Sequence, residues 1–131
     1  MSAACAGTPD LQAAIVFGSV LTSAEPRDLD LALLWNPVLP EAERWQRANH
    51  VATEVERACG AGALNVDVKD LRALPLVLQH RVLRDGHVSW VGDRRALVRF
   101  NSETVPRALD YLPAYRRMLR DSAEELRRGR S

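Results

Sequence analysis

Apolar residues run without a break through residues 13–17 and stop at Gly18 and Ser19, a pattern that predicts a short buried strand entering a turn. The next segment, residues 28–35, alternates at its start. Asp28 and Asp30 are interleaved with Leu29 and Leu31, so a strand here sends both carboxylates to one side of the pleat and the leucines to the other. Pro40 then opens a helical spacing in which Trp45, Ala48, Ala52, Val55 and Cys59 recur at three- and four-residue steps, and Gly60 and Gly62 end it. Residues 63–68 alternate again, with Leu64, Val66 and Val68 on one side and Asn65, Asp67 and Lys69 on the other. A second helix is expected over residues 74–83 with Gly86 as its cap, then a strand at 88–91 and a helical segment from Asp93. Pro106 and Pro113 punctuate the last stretch, where Leu109, Leu112, Tyr115, Leu119 and Leu126 predict an amphipathic C-terminal helix that packs on the body or on a partner. This order of strands and helices reads as α/β (α+β), with the first long helix expected to cover the sheet.

At 131 residues, with no internal repeat and no linker rich in Gly, Ser and Pro, the expectation is a single domain over residues 1–131, with 1–10 a flexible tail. No basic start and no long apolar run suggests a signal or a membrane span, so the expected location is cytoplasmic, with no membrane contact. Cys5 and Cys59 do not make a disulfide framework or a zinc site and are read as reduced bystanders. Net charge is near neutral. From Arg94 onward ten arginines face five acids, but the three tryptophans are scattered rather than interleaved with a basic face, so a nucleic-acid partner is not expected. His50, His80 and His87 share no metal-ligand spacing and read as surface or packing residues. Asp70 reads as a helix N-cap, and Arg27 as solvated.

Three acids on two strands, Asp28 and Asp30 on one and Asp67 on the other, converge if those strands are neighbours. Carboxylates so placed either hold a proton or bind a hard cation, and magnesium takes oxygen ligands while keeping waters and substrate phosphates in its shell. A pair of such ions activates an attacking hydroxyl and stabilises a departing pyrophosphate, which is the chemistry of phosphoryl or nucleotidyl transfer. The Gly18–Ser19 turn adds backbone amides and a hydroxyl within reach of phosphate oxygens. Each part alone is weak: most Asp-x-Asp and Gly-Ser pairs are solvated strand ends and turns.

In their order, Val16-Phe17-Gly18-Ser19, Asp28-Leu29-Asp30-Leu31 and Val66-Asp67-Val68-Lys69-Asp70-Leu71, the sequence resembles the minimal nucleotidyltransferases of the DNA polymerase beta superfamily, the antitoxin half of HEPN–MNT toxin–antitoxin pairs. The run from Val82 through Gly86 to Val91 and Leu109-Asp110-Tyr111 extend the resemblance past the acids. It implies Asp28, Asp30 and Asp67 as catalytic and metal-ligating residues, with Asp67 helping to deprotonate the acceptor. Gly18 and Ser19 are implied as nucleotide-binding, two Mg2+ ions as cofactors, and ATP as substrate. The implied reaction is transfer of AMP to a tyrosine hydroxyl of a cognate HEPN ribonuclease toxin, a hetero-oligomeric partner that is thereby silenced. The alternative is a catalytically weakened antitoxin that neutralises the toxin by binding alone. A stand-alone transferase for a small molecule such as an aminoglycoside would need a substrate domain for which this chain has no room. Two departures stand out. Only eight residues separate Ser19 from Asp28, against the family's usual ten, with Ser23 where the family carries a glycine. The family's N-terminal helix is expected to be missing or reduced to residues 9–12.

Overall fold

The computed structural model describes residues 2–18, 28–60 and 65–129. In chain order the elements are α1 (Ser2–Ala6), β1 (Leu11–Phe17), β2 (Asp28–Trp35), α2 (Glu41–Cys59), β3 (Asn65–Asp70), a 3-10 turn at Leu71–Ala73, α3 (Leu76–Asp85), β4 (His87–Val91) and α4 (Arg94–Arg128). The strands form one sheet in the order β3-β2-β1-β4. β1 runs antiparallel to both β2 and β4, while β2 and β3 are parallel. Parallel neighbours need a crossover, and α2 supplies it. This is the α/β (α+β) fold, a small mixed β-sheet flanked by helices, that the resemblance implies.

Each face of the sheet carries its own apolar cluster. Leu29, Leu31, Leu33 and Trp35 of β2 join Ala14 and Val16 of β1, Val51 and Val55 of α2 and Val66 of β3. On the opposite face Ala13 and Ile15 of β1 and Ala32 and Leu34 of β2 meet Leu71, Val82 of α3 and Phe100 of α4. β2 is therefore buried on both faces from Leu31 onward, whereas its first residues keep an uncovered face, and that face carries Asp28 and Asp30. Arg72 rivets the far end of β2. Its guanidinium donates to the Trp35 carbonyl (3.1 Å) and the Gln12 side chain (3.3 Å) and lies 5.2 Å from the centre of the Phe100 ring. That cation holds the sheet to α4 at the end remote from the acids.

Several local expectations are corrected by packing. Residues 1–10 are not a loose tail where described: α1 is helical, Cys5 is fully buried in the α2-side core, and the Thr8 hydroxyl closes the helix on the Ala4 carbonyl (2.9 Å). Arg47 of α2 donates to the Pro9 carbonyl (2.8 Å) and Asp10 (3.2 Å), fastening the segment in place. A short N-terminal helix is thus present at Ser2–Ala6, not at 9–12. In α2 the inward stripe is Val51 and Val55 flanked by Ala48 and Ala52, while Trp45 and Cys59 lie outside it, exposed. α4 is continuous for 35 residues through Pro106 and Pro113. Its N-cap Asp93 accepts from the Ala96 amide (3.1 Å), and Phe100, Thr104 and Ala108 pack inward on both sides of Pro106, so tertiary contact offsets the hydrogen bond that proline removes. Among the described residues beyond Ala108, only Leu112 and Tyr115 are half-buried; Leu109, Leu119 and Leu126 stand exposed. His80 is buried and His50 and His87 are exposed, as packing and surface residues.

Asp70 caps as the sequence predicts, but the cap opens the 3-10 turn before α3: its carboxylate accepts from the Arg72 amide (3.2 Å) and from Arg44 of α2 (2.9 Å). Asp70→Ala removes a cap and leaves a half-buried guanidinium without that partner. Urea denaturation of this variant is expected to show a loss of about 1–3 kcal/mol, and an unchanged midpoint would show that the cap contributes nothing.

Candidate functional site

β2 places Asp28 and Asp30 two residues apart, hence on the same side of the pleat. Parallel pairing then sets Asp67 of β3 directly beside Asp30, with Asn65 beside Asp28 and Lys69 beside Ala32. All three acids therefore share the face also occupied by Ala32 and Leu34, at the end of the sheet that α3 and α4 leave uncovered. Had β3 slipped by one residue, Asp67 would have turned into the α2-side core; Val66 and Val68, packed there, hold the register.

β1 contributes from the other side. Phe17 pairs with Asp30, and the chain turns at the following residue, Gly18, in the left-handed region (φ 84°). A Cβ at Gly18 would collide with the Asp30 carboxylate oxygen Oδ2. Glycine is thus required twice, for the backbone angle and for the close approach. Ser19, predicted to sit with Gly18 on the triphosphate, lies outside the described residues, as do Ser23 and Arg27.

Electrostatics follow from this crowding. Asp30 is pushed above the ordinary carboxylate range, first by desolvation under its neighbours and then by the charges of Asp67 and Asp28, with Lys69 acting in the opposite direction. The Lys69 ammonium contacts Asp67 Oδ2 at 3.3 Å, both side chains about half exposed. Among the described residues no three His, Cys, Asp or Glu side chains are gathered closely enough to hold a metal ion, and the Asp67 carboxylate is engaged with Lys69. The donor set is nevertheless one a hard cation takes: carboxylate oxygens only, mutually repelling, with an ammonium already drawn to one of them.

Along the outer edge of β3, a cleft of about 350 Å³ reaches Asp67 from the side of α2, lined among others by Trp35, Trp45, Asn49 and Val66. Trp45 is 71% exposed at this cleft. Reading the sequence alone does not single out Lys69 as part of the site, although its parity with Asp67 was the available signal; the cleft has no local signal, being made by elements distant in sequence.

Residues 2–94 match the family described as Polymerase beta, Nucleotidyltransferase. No curated protein matches the chain. Among solved structures, the chain is similar to a toxin–antitoxin with AMP-PNP, at 27% identity over 88% of each chain and a TM-score of 0.62. It is similar to the toxin–antitoxin MntA-HepT at 25% identity, over 91% of this chain and 88% of that one, with a TM-score of 0.59. A third similarity is to tri-AMPylated Shewanella oneidensis HEPN toxin in complex with MNT antitoxin, at 28% identity over 88% and 85% of the two chains, TM-score 0.59. Among the described residues no helix is long and apolar enough to cross a membrane.

Proposed function

Because the chain belongs to the polymerase beta nucleotidyltransferase family, matched over residues 2–94, we propose that it is an antitoxin that transfers AMP from ATP to a tyrosine hydroxyl of a HEPN-domain ribonuclease toxin. The observation that carries this reading is the in-register pairing of Asp30 with Asp67, with the Gly18 turn closed against Asp30. Support for the partner comes from the similar structures, in which an MNT antitoxin is bound to a HEPN toxin that carries AMP and a related toxin–antitoxin holds an ATP analogue.

Asp28, Asp30 and Asp67 would hold two Mg2+ ions, which supply charge neutralisation for the triphosphate and for the departing pyrophosphate. Gly18, at the end of β1, would bring its backbone toward the phosphates, and Ser19 is the other residue proposed to bind the nucleotide. The acceptor hydroxyl reaches Asp67 along the β3 cleft. Its oxygen forms a bond to the α-phosphorus, the bond from that phosphorus to the bridging oxygen of the β-phosphate breaks, pyrophosphate leaves, and the hydroxyl proton passes to an Asp67 carboxylate oxygen. Asp30, flanked by both other acids, sits where charge must be balanced for any of this to proceed.

A second reading, neutralisation by binding alone, is favoured by α4, whose Leu109, Met118, Leu119 and Leu126 are each more than half exposed on the stretch that leaves the body. One experiment separates the two. Purified protein is mixed with its HEPN toxin, magnesium and α-labelled ATP; label is expected on the toxin, at a tyrosine, within minutes. A tight complex that stays unlabelled under all metal and nucleotide conditions would leave the binding reading in possession. Thermal stabilisation by ATP that requires magnesium is the accompanying expectation.

A further inference from the structure

We propose that Lys69 is the resident counter-ion of the acidic cluster, a cation that a divalent metal must displace from Asp67 before the three carboxylates can close around it. The inference rests on the transferase reading for the identity of the incoming metal, and on the geometry of β3 for the rest.

Lys69 lies two residues after Asp67 on the same strand, so both side chains leave the sheet on the same face. Its neighbour across β2 is Ala32, whose single methyl leaves room for the lysine stem to lie back toward the acids. From there the ammonium reaches Asp67 Oδ2 at 3.3 Å, and its charge is also felt at Asp30, opposing the repulsion from the other two carboxylates. Among the described residues, the Lys69 charge thus opposes those of Asp67 and Asp28 at Asp30. The Asp67 oxygen it occupies is an oxygen that a metal shared with Asp30 would need.

The residue type agrees with such a role. The chain has 18 basic residues, and Lys69 is its only lysine. An arginine in this place would grip Asp67 through a planar fork of donors, whereas an ammonium on a flexible stem makes a point contact and exchanges it readily. Both partners are about half exposed, so the pair is weak and water-accessible. It occupies Asp67 in the absence of metal and is weak enough to yield to a doubly charged ion. Loading then turns Asp67 inward toward Asp30, and the released ammonium remains on the same face.

The test uses Mn2+ alone, titrated calorimetrically into the full chain. Lys69→Met is expected to bind Mn2+ about three- to tenfold more tightly than wild type, because the metal no longer competes with a resident cation. Lys69→Arg is expected to bind it more weakly than wild type. Equal or weaker binding by Lys69→Met, with wild type binding normally, overturns the proposal. A second arm needs no metal. In EDTA, Lys69→Met is expected to lower the melting temperature in the wild-type background and to have no effect in an Asp67→Asn background, the difference shrinking at high salt. An equal drop in both backgrounds overturns the counter-ion as well. Should no variant bind Mn2+ while this second arm behaves as expected, the metal-dependent transferase is what fails, and the Lys69 pairing stands.

Discussion

Asp30→Asn is expected to abolish AMP transfer, by about a thousandfold or more, while the protein becomes slightly more heat-stable in the absence of divalent cations. The loss follows from position: Asp30 is flanked by Asp28 on its own strand and by Asp67 across the parallel pair, so it is the carboxylate that a shared cation must touch. The gain follows from the same crowding. Desolvation and the charges of Asp67 and Asp28 hold the Asp30 carboxyl above its ordinary range. A carboxyl whose folded-state pKa is raised costs stability once the pH exceeds that pKa, and the cost fades as the pH falls through the folded value toward the unfolded one. Above the folded pKa that cost is present, and an amide removes it. Melting in EDTA at pH 7 should therefore shift up by about 2–5 °C, and the shift should shrink as the pH is taken down to about 4. Circular dichroism and co-purification with the toxin are expected to be unchanged. Wild-type transfer by this variant would remove the acidic cluster from the mechanism, and a lower melting temperature in EDTA would show that Asp30 makes contacts worth more than the repulsion it suffers.

Gly18→Ala is the second large effect. A methyl group at Gly18 meets two obstacles, a backbone angle of φ 84° and the Asp30 carboxylate lying where the new carbon would be. The strained angle costs on the order of 1 kcal/mol. The collision must be relieved by moving either the turn or Asp30, and a displacement of about 1 Å at a reacting centre can cost about a hundredfold in rate. The expectation is a fall in transfer of at least about a hundredfold together with a destabilisation of about 1–3 kcal/mol. Gly60 provides the control. Its φ is 94°, but no atom lies within 4 Å of the position a Cβ would take, so Gly60→Ala should lose stability of the order of the backbone term alone and leave transfer intact. Equal kinetic effects at the two glycines would make the Gly18–Asp30 contact incidental.

The parts of the site that could be read in advance are those written in strand parity. Asp28 and Asp30 alternating with Leu29 and Leu31, and Asp67 alternating with Val66 and Val68, commit these acids to the side of each strand away from the leucines and valines, whatever the strands pair with. The Gly18 turn was legible because an apolar run ended on a glycine. Parity also carried Lys69 to the acid side, but nothing local says that an ammonium will settle on Asp67 rather than in water. Helix faces were less legible: of the spacing Trp45, Ala48, Ala52, Val55 and Cys59, only the middle packs on the sheet, joined by Val51, and contact with the sheet leaves Trp45 and Cys59 outside.

Sequence alone determined which residues leave each strand on the same side and where the chain turns, because these depend on backbone geometry within a few residues. Only the tertiary structure decided that β2 and β3 lie side by side in parallel, that β3 sits in the register placing Asp67 next to Asp30, that α1 seats Cys5 in the core, and that α4 runs unbroken through Pro106 and Pro113. Those outcomes rest on contacts between segments far apart along the chain, where burial of one apolar face against another outweighs the preference of any single stretch.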